Sequence, residues 1–274
     1  MSPSVKLATP LTALLGIQHP IMLAGMDMVA GPEPWGCHPR GLSRSCTKPA
    51  YFTWYACYIP SGSCQAGADI ICAQGGEAGG HTGDIQTSIL TPACVDIVKQ
   101  YKSPLTGNPV LLVTGGGVND GRSLASALML GASGVWVGTR FTAAVESKYP
   151  ESAKKEVINA TYDSWVRSLI WSGRPLRALR TPYIDDWEAN RQGEIRDLTA
   201  RGLVPLEHEL DRLHREGKLT EEIEEQAALR PIGIVAGAVN KPGQTVAEIV
   251  KEMVDEAAEL LGAAPTYLTT SSKL

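Results

Sequence analysis

The chain has 274 residues, of which 43% are hydrophobic, and this is enough to bury the core of one large domain or of two small ones. Its formal charge of −4 is spread along the sequence without a basic run, so we expect no nucleic-acid partner. No segment approaches the ~20 consecutive apolar residues that a membrane span needs, so we expect neither a membrane span nor a signal peptide.

Four short apolar runs that end in small residues are typical of buried parallel strands. They lie at residues 20–23, 69–73, 110–113 and 134–137. The Ala- and Leu-rich segment 121–130 joins the last two runs, and this order predicts a β-α-β unit with a right-handed crossover. A further helix is predicted at residues 91–100, with Thr91 as its N-cap and Pro92 at its first position. The pattern indicates an α/β fold.

Residues 31–64 predict no folded element, because they show a period of neither 2 nor 3.6 and are rich in Pro, Cys, Trp and Tyr. We interpret the segment as a mispredicted exon, a frameshift or a translated intron, in preference to a cysteine-bearing lid. Its cysteines are Cys37, Cys46, Cys57 and Cys64. Their spacing is too irregular for a zinc site, and we predict no metal. Cys72 and Cys94 lie in apolar surroundings and are expected to be buried, reduced thiols.

The last part of the chain, beyond Arg140, predicts helices and no further strands. The candidate helices are residues 150–159, 184–201, 206–216, 220–228 and 245–261. The last of them has an apolar stripe opposite acidic and lysine residues, which is typical of a helix packed on a core. We therefore expect a helical extension that packs on the α/β part.

The sequence QGGEAGGHTG, residues 74–83, directly follows the second predicted strand. Glycines let the backbone approach a ligand closely, and Gln74 and His81 add polar groups at the carboxyl end of the strand. Barrel enzymes place their active sites at that end of the strands. We expect the other histidines, His19, His38, His208 and His214, to be structural or surface residues.

Two more glycine clusters follow the last two predicted strands. Gly115, Gly116 and Gly117 come after residues 110–113, and Gly138 with Thr139 comes after residues 134–137. Successive loops of this kind, after the final strands of a (β/α)8 barrel, often bind a phosphate through backbone N–H groups. Neither cluster matches the GxGxxG fingerprint of a Rossmann fold.

Taken together, these motifs resemble the nitronate monooxygenase family, formerly the nitropropane dioxygenases. The similar segments are HPIMLAGM at 19–26, the block 67–140 with QGGEAGGHTG, TGGGVNDG and VWVGTRF, and the tail motifs GRPLR at 173–177 and YIDDW at 183–187. Only residues 32–64 are unlike the family. The resemblance implies a (β/α)8 TIM barrel and FMN as the cofactor.

The resemblance also implies where the cofactor binds. The expected contacts are Met22, Leu23, Ala24, Gln74, Gly79, Gly116, Gly117, Trp136, Val137, Gly138 and Thr139. In this arrangement the backbone of residues 22–24 lies against the flavin ring, and Gln74 hydrogen-bonds it. The second and third glycine clusters bind its phosphate.

His81 occupies the position of the family's catalytic histidine. An imidazole that titrates near neutrality can accept the α-proton of a nitroalkane or, when protonated, stabilise an anionic nitronate. The expected reaction is the oxidation of an alkyl nitronate, such as propionate 3-nitronate, by O2 to a carbonyl compound and nitrite. The alternatives are another FMN barrel oxidoreductase, such as an enoyl reductase, and an inactive, truncated flavoprotein.

The predicted barrel is incomplete in this chain. A (β/α)8 barrel takes about 250 residues, or roughly 31 for each unit. By motif, the four apolar runs are its first, sixth, seventh and eighth strands, so the second to fifth strands are missing. We divide the chain into a partial FMN-binding barrel at residues 1–30 and 65–145, an anomalous insert at 31–64 and a helical extension at 146–274.

The chain ends in Ser272, Lys273 and Leu274, the tripeptide that the peroxisomal import receptor reads at a free carboxyl terminus. A chance match at one terminus is on the order of one in a few thousand for such common residues. We therefore expect peroxisomal import, with the cytoplasm as the alternative. The expected partners are the import receptor, a small nitronate or nitroalkane, and O2.

Overall fold

The computed structural model describes residues 6–25, 52–55 and 61–268. The strands are β1 (Ile21–Leu23), β2 (Phe52–Tyr55), β3 (Ile70–Gln74), β4 (Gly80–His81), β5 (Leu111–Gly115), β6 (Gly134–Val137), β7 (Trp165–Ser168) and β8 (Leu176–Leu179). The α-helices are α1 (Pro10–Leu15), α2 (Ser61–Gln65), α3 (Thr87–Val98), α4 (Gly121–Met129), α5 (Thr139–Thr142), α6 (Glu151–Ile158), α7 (Pro182–Asn190), α8 (Gln192–Ala200), α9 (Pro205–Arg215), α10 (Glu221–Ala227) and α11 (Val246–Ala263). Short 3₁₀ helices cover Ile234–Ala238 and Ala264–Tyr267.

The centre of the fold is a parallel sheet with the strand order β1-β6-β5-β3-β2. Its register places Ile71 opposite Leu112 and Met22 opposite Trp136. The four predicted strands are confirmed, and β5, α4 and β6 form the predicted β-α-β unit with parallel neighbours. Within the described residues the sheet is open, because β1 and β2 lie at its two edges.

The sheet is buried on both faces, as its continuous apolar runs predict. On one face Leu11 of α1 packs against Ile70 and Val113, and on the other Ile71 packs beneath α3. Thr9, the N-cap of α1, donates from its hydroxyl to the Ser133 carbonyl at 2.7 Å, just before β6 begins. Helix α1 therefore covers the amino ends of the strands and leaves their carboxyl ends for the functional loops.

Helix α3 begins four residues before its predicted start, and the prediction of Thr91 as N-cap is wrong. The Glu77 carboxylate accepts hydrogen bonds from the backbone N–H of Thr87 at 2.9 Å and from its hydroxyl at 2.8 Å. This distant cap starts the helix at Thr87, so that Pro92 lies inside it. Thr91 instead makes a side-chain hydrogen bond of 2.6 Å to Thr114 of β5.

The prediction that residues 31–64 contain no element is wrong at two places. Strand β2 pairs in parallel with β3, where a barrel has its fifth strand, and helix α2 begins at Ser61. The run Phe52–Tyr55 is aromatic and β-branched, which favours a strand whatever its flanks contain. Cys64 of α2 is a buried free thiol, as are Cys72 and Cys94. Cys37, Cys46 and Cys57 lie outside the described residues.

The prediction that strands stop after Arg140 is also wrong. Strands β7 and β8 form an antiparallel hairpin, and β4 pairs with β8 to complete a second, three-stranded sheet. These strands have two to four residues, and Arg167 and Arg177 hide the apolar alternation that predicts a half-buried strand. The predicted helix 184–201 is two helices, which meet at Arg191.

Helix α11 packs on α4 and closes the outer side of the sheet. A Cβ at Gly121 would lie 2.5 Å from the backbone nitrogen of Ala257, so only glycine allows this close contact. Ile249 and Met253 of α11 are buried in the same cluster. In the described residues no helix has the length and apolar character to cross a bilayer, and no three His, Cys, Asp or Glu side chains group as metal ligands.

Candidate active site

A cavity of about 770 Å³ opens at the carboxyl ends of the parallel strands. The loops after β3, β5 and β6 form one side of it, and residues from α6 and from the segment after α10 form the other. Of the predicted site residues, those that line it are Ala24, Gln74, Gly79, His81, Gly116, Gly117, Trp136, Gly138 and Thr139. Residues predicted from motifs far apart in sequence are therefore brought together in one wall.

Three predicted contacts, Met22, Leu23 and Val137, are not among the residues that line the cavity. Met22 packs into the cluster around Leu11, whereas Leu23 and Val137 belong to the cluster beneath α4 and α11. Because side chains alternate along a strand, Val137 faces the helices while its neighbour Trp136 faces the cavity. In the segment around β1, the residues that line the cavity are Ala24 and Gly25, which directly follow the strand.

Gln74, the last residue of β3, holds the glycine-rich loop that follows it. Its side chain is buried, and its amide nitrogen donates to the carbonyls of His81 at 2.6 Å and of Gly79 at 3.4 Å. The prediction that Gln74 hydrogen-bonds a cofactor ring therefore leaves only its amide oxygen for that contact, since both amide hydrogens serve the loop.

Arg177 of β8 clamps the same loop from the opposite side. Its guanidinium donates to the carbonyl of Ala78 at 2.7 Å and to that of Gly76, and it stacks 4.3 Å from the centre of the Trp165 ring. Only 5% of the residue is exposed, and burial lowers the pKa of its guanidinium. Arg177 belongs to the motif GRPLR at 173–177, but the motif alone does not indicate this role.

The segment after α10 also binds to the glycine loops. A Cβ at Gly79 would lie 2.5 Å from the carbonyl carbon of Ile232, so backbone meets backbone here. The Gly233 N–H donates to the Thr139 hydroxyl at 2.9 Å, and the Ile234 N–H donates to the Glu77 carbonyl at 3.0 Å. One distant segment therefore joins the loop after β3 to the loop after β6, and the sequence contains no local signal for it.

The side chain of His81 contacts the β7–β8 hairpin. Its Nε2 lies 2.8 Å from the Ser172 hydroxyl oxygen, and β4 places its backbone opposite Leu176. Burial, and then the positive charge of Arg174, lower the pKa of the imidazole below its ordinary value. This shift favours the neutral imidazole, the form that can accept a proton.

The glycine cluster after β5 has the backbone of a ligand cradle. Gly116 and Gly117 have φ values of 100° and 72°, which other residues rarely adopt. A Cβ at Gly116 would lie 2.9 Å from the Thr87 hydroxyl oxygen. Among the described residues, the Gly117 N–H, which lies beyond the last paired residue of β5, has no hydrogen-bond acceptor. Such a cradle, beside the Trp136 ring, fits a phosphorylated aromatic cofactor.

The far wall of the cavity was not predicted. Tyr149 and Ser152 line it together with Leu229 and Arg230. Burial raises the pKa of the Tyr149 hydroxyl, and Arg230 pairs with Glu156 at 3.0 Å. This wall is mainly apolar, apart from Arg230 and Glu225, whose opposite charges lie 3.7 Å apart.

Comparison with known proteins relates the chain to one enzyme family. The family model described as nitronate monooxygenase matches residues 61–256. A Mycobacterium tuberculosis protein provisionally named a monooxygenase is 32% identical over 72% of this chain, but the match spans only 51% of that protein. The (3aS,4S,5R,7aS)-5-hydroxy-7a-methyl-1-oxo-octahydro-1H-indene-4-carboxyl-CoA dehydrogenase of Rhodococcus jostii is 30% identical over 71% of each chain.

Solved structures show the same fold. FabK from Thermotoga maritima superposes with a TM-score of 0.68 over 96% of this chain and 100% of that one, at 22% identity. Nitroalkane oxidase from Streptomyces ansochromogenes gives a TM-score of 0.56 over 78% of this chain and 59% of that one, also at 22% identity. The fold is of the (β/α)8-barrel type, and the described residues supply an open part of it.

Proposed function

We propose that this chain, which belongs to the nitronate monooxygenase family of flavin-dependent oxidoreductases, binds FMN in the cavity and oxidises alkyl nitronates. The products are a carbonyl compound and nitrite, with O2 as the oxidant and propionate 3-nitronate as a representative substrate. One observation carries the proposal: His81, whose imidazole pKa is lowered by burial, lines the same cavity as the glycine cradle after β5.

The residues of the cavity wall fit FMN in size and chemistry. About 770 Å³ lies within the roughly 300–1,000 Å³ of typical cofactor sites. Gly116, Gly117, Gly138 and Thr139 would hold the phosphate, because their backbone can approach it without side-chain obstruction. The flavin supplies the electron-transfer chemistry that amino-acid side chains lack.

His81 supplies the proton chemistry. A neutral nitroalkane must lose its α-proton to become a nitronate, and the His81 imidazole can accept that proton. The C–H electron pair then stays on the substrate, and the imidazolium stabilises the anion that forms. The mainly apolar far wall strengthens this attraction by excluding water.

A second candidate is an FMN barrel oxidoreductase with another substrate, such as an enoyl reductase. The Rhodococcus jostii relative favours it, because its name assigns it to a carboxyl-CoA dehydrogenase. A third candidate, an inactive flavoprotein, is favoured by the open sheet of the described residues.

The test is to load the purified full chain with FMN, record its absorption spectrum and measure turnover. The proposal predicts oxygen uptake and nitrite release with propionate 3-nitronate and no NADH oxidation. NADH oxidation with an enoyl thioester would favour the second candidate, and bound flavin without turnover would favour the third.

Gly117→Val should prevent FMN retention, since a side chain would enter the cradle. Intact flavin stoichiometry in that variant, at a matched folded fraction, would refute the cradle.

We further propose that Ser272, Lys273 and Leu274, which lie outside the described residues, direct the protein to peroxisomes through the import receptor. A fluorescent protein fused upstream should give punctate peroxisomal signal in a eukaryotic host. Deletion of the tripeptide should make the signal diffuse and cytoplasmic. An equally diffuse signal with and without the tripeptide would reject this localisation.

A further inference from the structure

A hydrogen-bond chain connects the imidazole of His81 to the backbone of the β7–β8 turn. His81 Nε2 lies 2.8 Å from Ser172 Oγ, and Ser172 Oγ donates to the Arg174 carbonyl at 3.3 Å. Ser172 is not among the residues that line the cavity, whereas His81 is. Ser172 therefore contacts the ring from outside the cavity.

Both contacts of Ser172 can be hydrogen bonds at once for only one tautomer of His81. A serine hydroxyl has one proton, and a carbonyl oxygen can only accept. When Ser172 gives that proton to the Arg174 carbonyl, its oxygen is an acceptor for His81. His81 Nε2 then carries hydrogen, and Nδ1 has a free lone pair. Within the described part of the chain, Nδ1 has no hydrogen-bond partner.

We propose that Ser172 is a positioning residue that keeps the hydrogen of neutral His81 on Nε2 and leaves Nδ1 as the proton acceptor. The role of Nδ1 as a base rests on the proposed function, whereas the tautomer is a property of the chain alone. When the substrate C–H bond breaks, its proton forms an N–H bond at Nδ1 and its electron pair stays on carbon. The Nε2–H then donates more strongly to Ser172, and the chain disperses part of the new positive charge.

Backbone pairing between β4 and β8 fixes the position of His81 relative to the hairpin that contains Ser172. Pairing of β4 with β8 sets Gly80 opposite Arg177 and His81 opposite Leu176, so the hairpin that contains Ser172 moves with His81. Burial and Arg174 both disfavour the protonated imidazole, whereas a Ser172 oxygen that accepts a hydrogen bond from Nε2 favours it. Removal of the Ser172 hydroxyl should therefore lower the pKa of His81 and leave both tautomers populated.

Nitrogen NMR of the full chain labelled with ¹⁵N-histidine tests the tautomer without any turnover. At a pH above the His81 titration, the native protein should show a protonated Nε2 and an unprotonated Nδ1 for this residue. His81→Asn identifies the signals by removing them. Ser172→Ala should give averaged nitrogen shifts and a lower titration midpoint, and Ser172→Thr, which keeps a hydroxyl, should restore the native pattern.

Ser164→Ala is the matched control, because it removes a serine hydroxyl just before β7 that accepts a hydrogen bond from Thr161 and does not contact His81. It should leave the His81 signals unchanged. A hydrogen on Nδ1 in the native protein, or an unchanged tautomer in Ser172→Ala, overturns the inference. If Ser172→Ala does not fold, the tautomers of the native protein and of Ser172→Thr still test the inference, because both should carry the hydrogen on Nε2.

Turnover of the FMN-loaded protein separates this inference from the proposed function. Ser172→Ala should lower kcat/KM for a neutral nitroalkane about tenfold, a part of the 10²–10⁴-fold that a general base contributes, and should spare a preformed nitronate. An equal loss with both substrates rejects the positioning role while the proposed function stands. Absence of native turnover rejects the proposed function while the NMR result still stands.

Discussion

Replacement of Arg177 by methionine removes the clamp on the loop that contains His81 while keeping an unbranched apolar stem. The guanidinium makes two hydrogen bonds to loop carbonyls and one contact with the Trp165 ring. Hydrogen bonds from a charged donor contribute about 1.5–3 kcal/mol each, and the ring contact adds about 0.5–1 kcal/mol. Relief of the buried charge offsets part of this sum. We expect Arg177→Met to lower the free energy of unfolding by about 3 kcal/mol.

Urea unfolding followed by circular dichroism measures this loss, and Arg174→Met is the matched control. Arg174 is an exposed arginine three residues away, so its replacement should change stability by no more than ~0.5 kcal/mol. A difference between the two variants of less than ~1 kcal/mol would contradict the clamp, since even one charge-assisted hydrogen bond exceeds it.

Three other substitutions test separate parts of the site and fold. Arg174→Gln removes a charge that lowers the pKa of His81, so the NMR titration midpoint should rise toward ~6.5 and base-dependent turnover should need a higher pH. In the native protein the pKa of folded His81 lies below that of the unfolded chain, so the free energy of unfolding rises with pH between these two pKa values. The variant should make this pH range narrower. A titration midpoint equal to that of the native protein would contradict the role of Arg174. Gly121→Ala should lower the free energy of unfolding by about 2 kcal/mol or more, and with it the Tm, because the new Cβ meets the backbone of α11. An unchanged Tm would argue against that packing. Glu77→Gln should lower the free energy of unfolding by about 1 kcal/mol through a weaker cap on α3, whereas no measurable loss would exclude the cap.

The sequence predicted those parts of the fold whose signals are local. The apolar runs that become β3 and β5 are continuous and buried on both faces, and the glycine loop with His81 follows directly from its place after a strand. Helix α3 was predicted with the wrong start, because its cap comes from Glu77, ten residues earlier.

The supporting residues of the site could not be predicted in the same way. Ser172 contacts His81 from 91 residues away in sequence, and Arg177 contacts Ala78 from 99 residues away. No local pattern in the sequence indicates either pairing. From the sequence, Arg177 would be expected at the surface, because arginines are rarely fully buried unless they are paired. The side chain of Val137, a predicted contact, lies in the core because side chains alternate along β6.

The pairing of β1 with β6 has a consequence for the order in which the chain folds during synthesis. Ile21 pairs with Val135, 114 residues later, so the first strand leaves the ribosome long before its partner exists. At about 5–20 residues per second, the delay is roughly 6–23 s. Helix α11, which covers α4, follows later still. During that interval the apolar strand β1 is exposed to other nascent chains, and we expect the yield of folded protein to depend on chaperones that bind extended apolar segments.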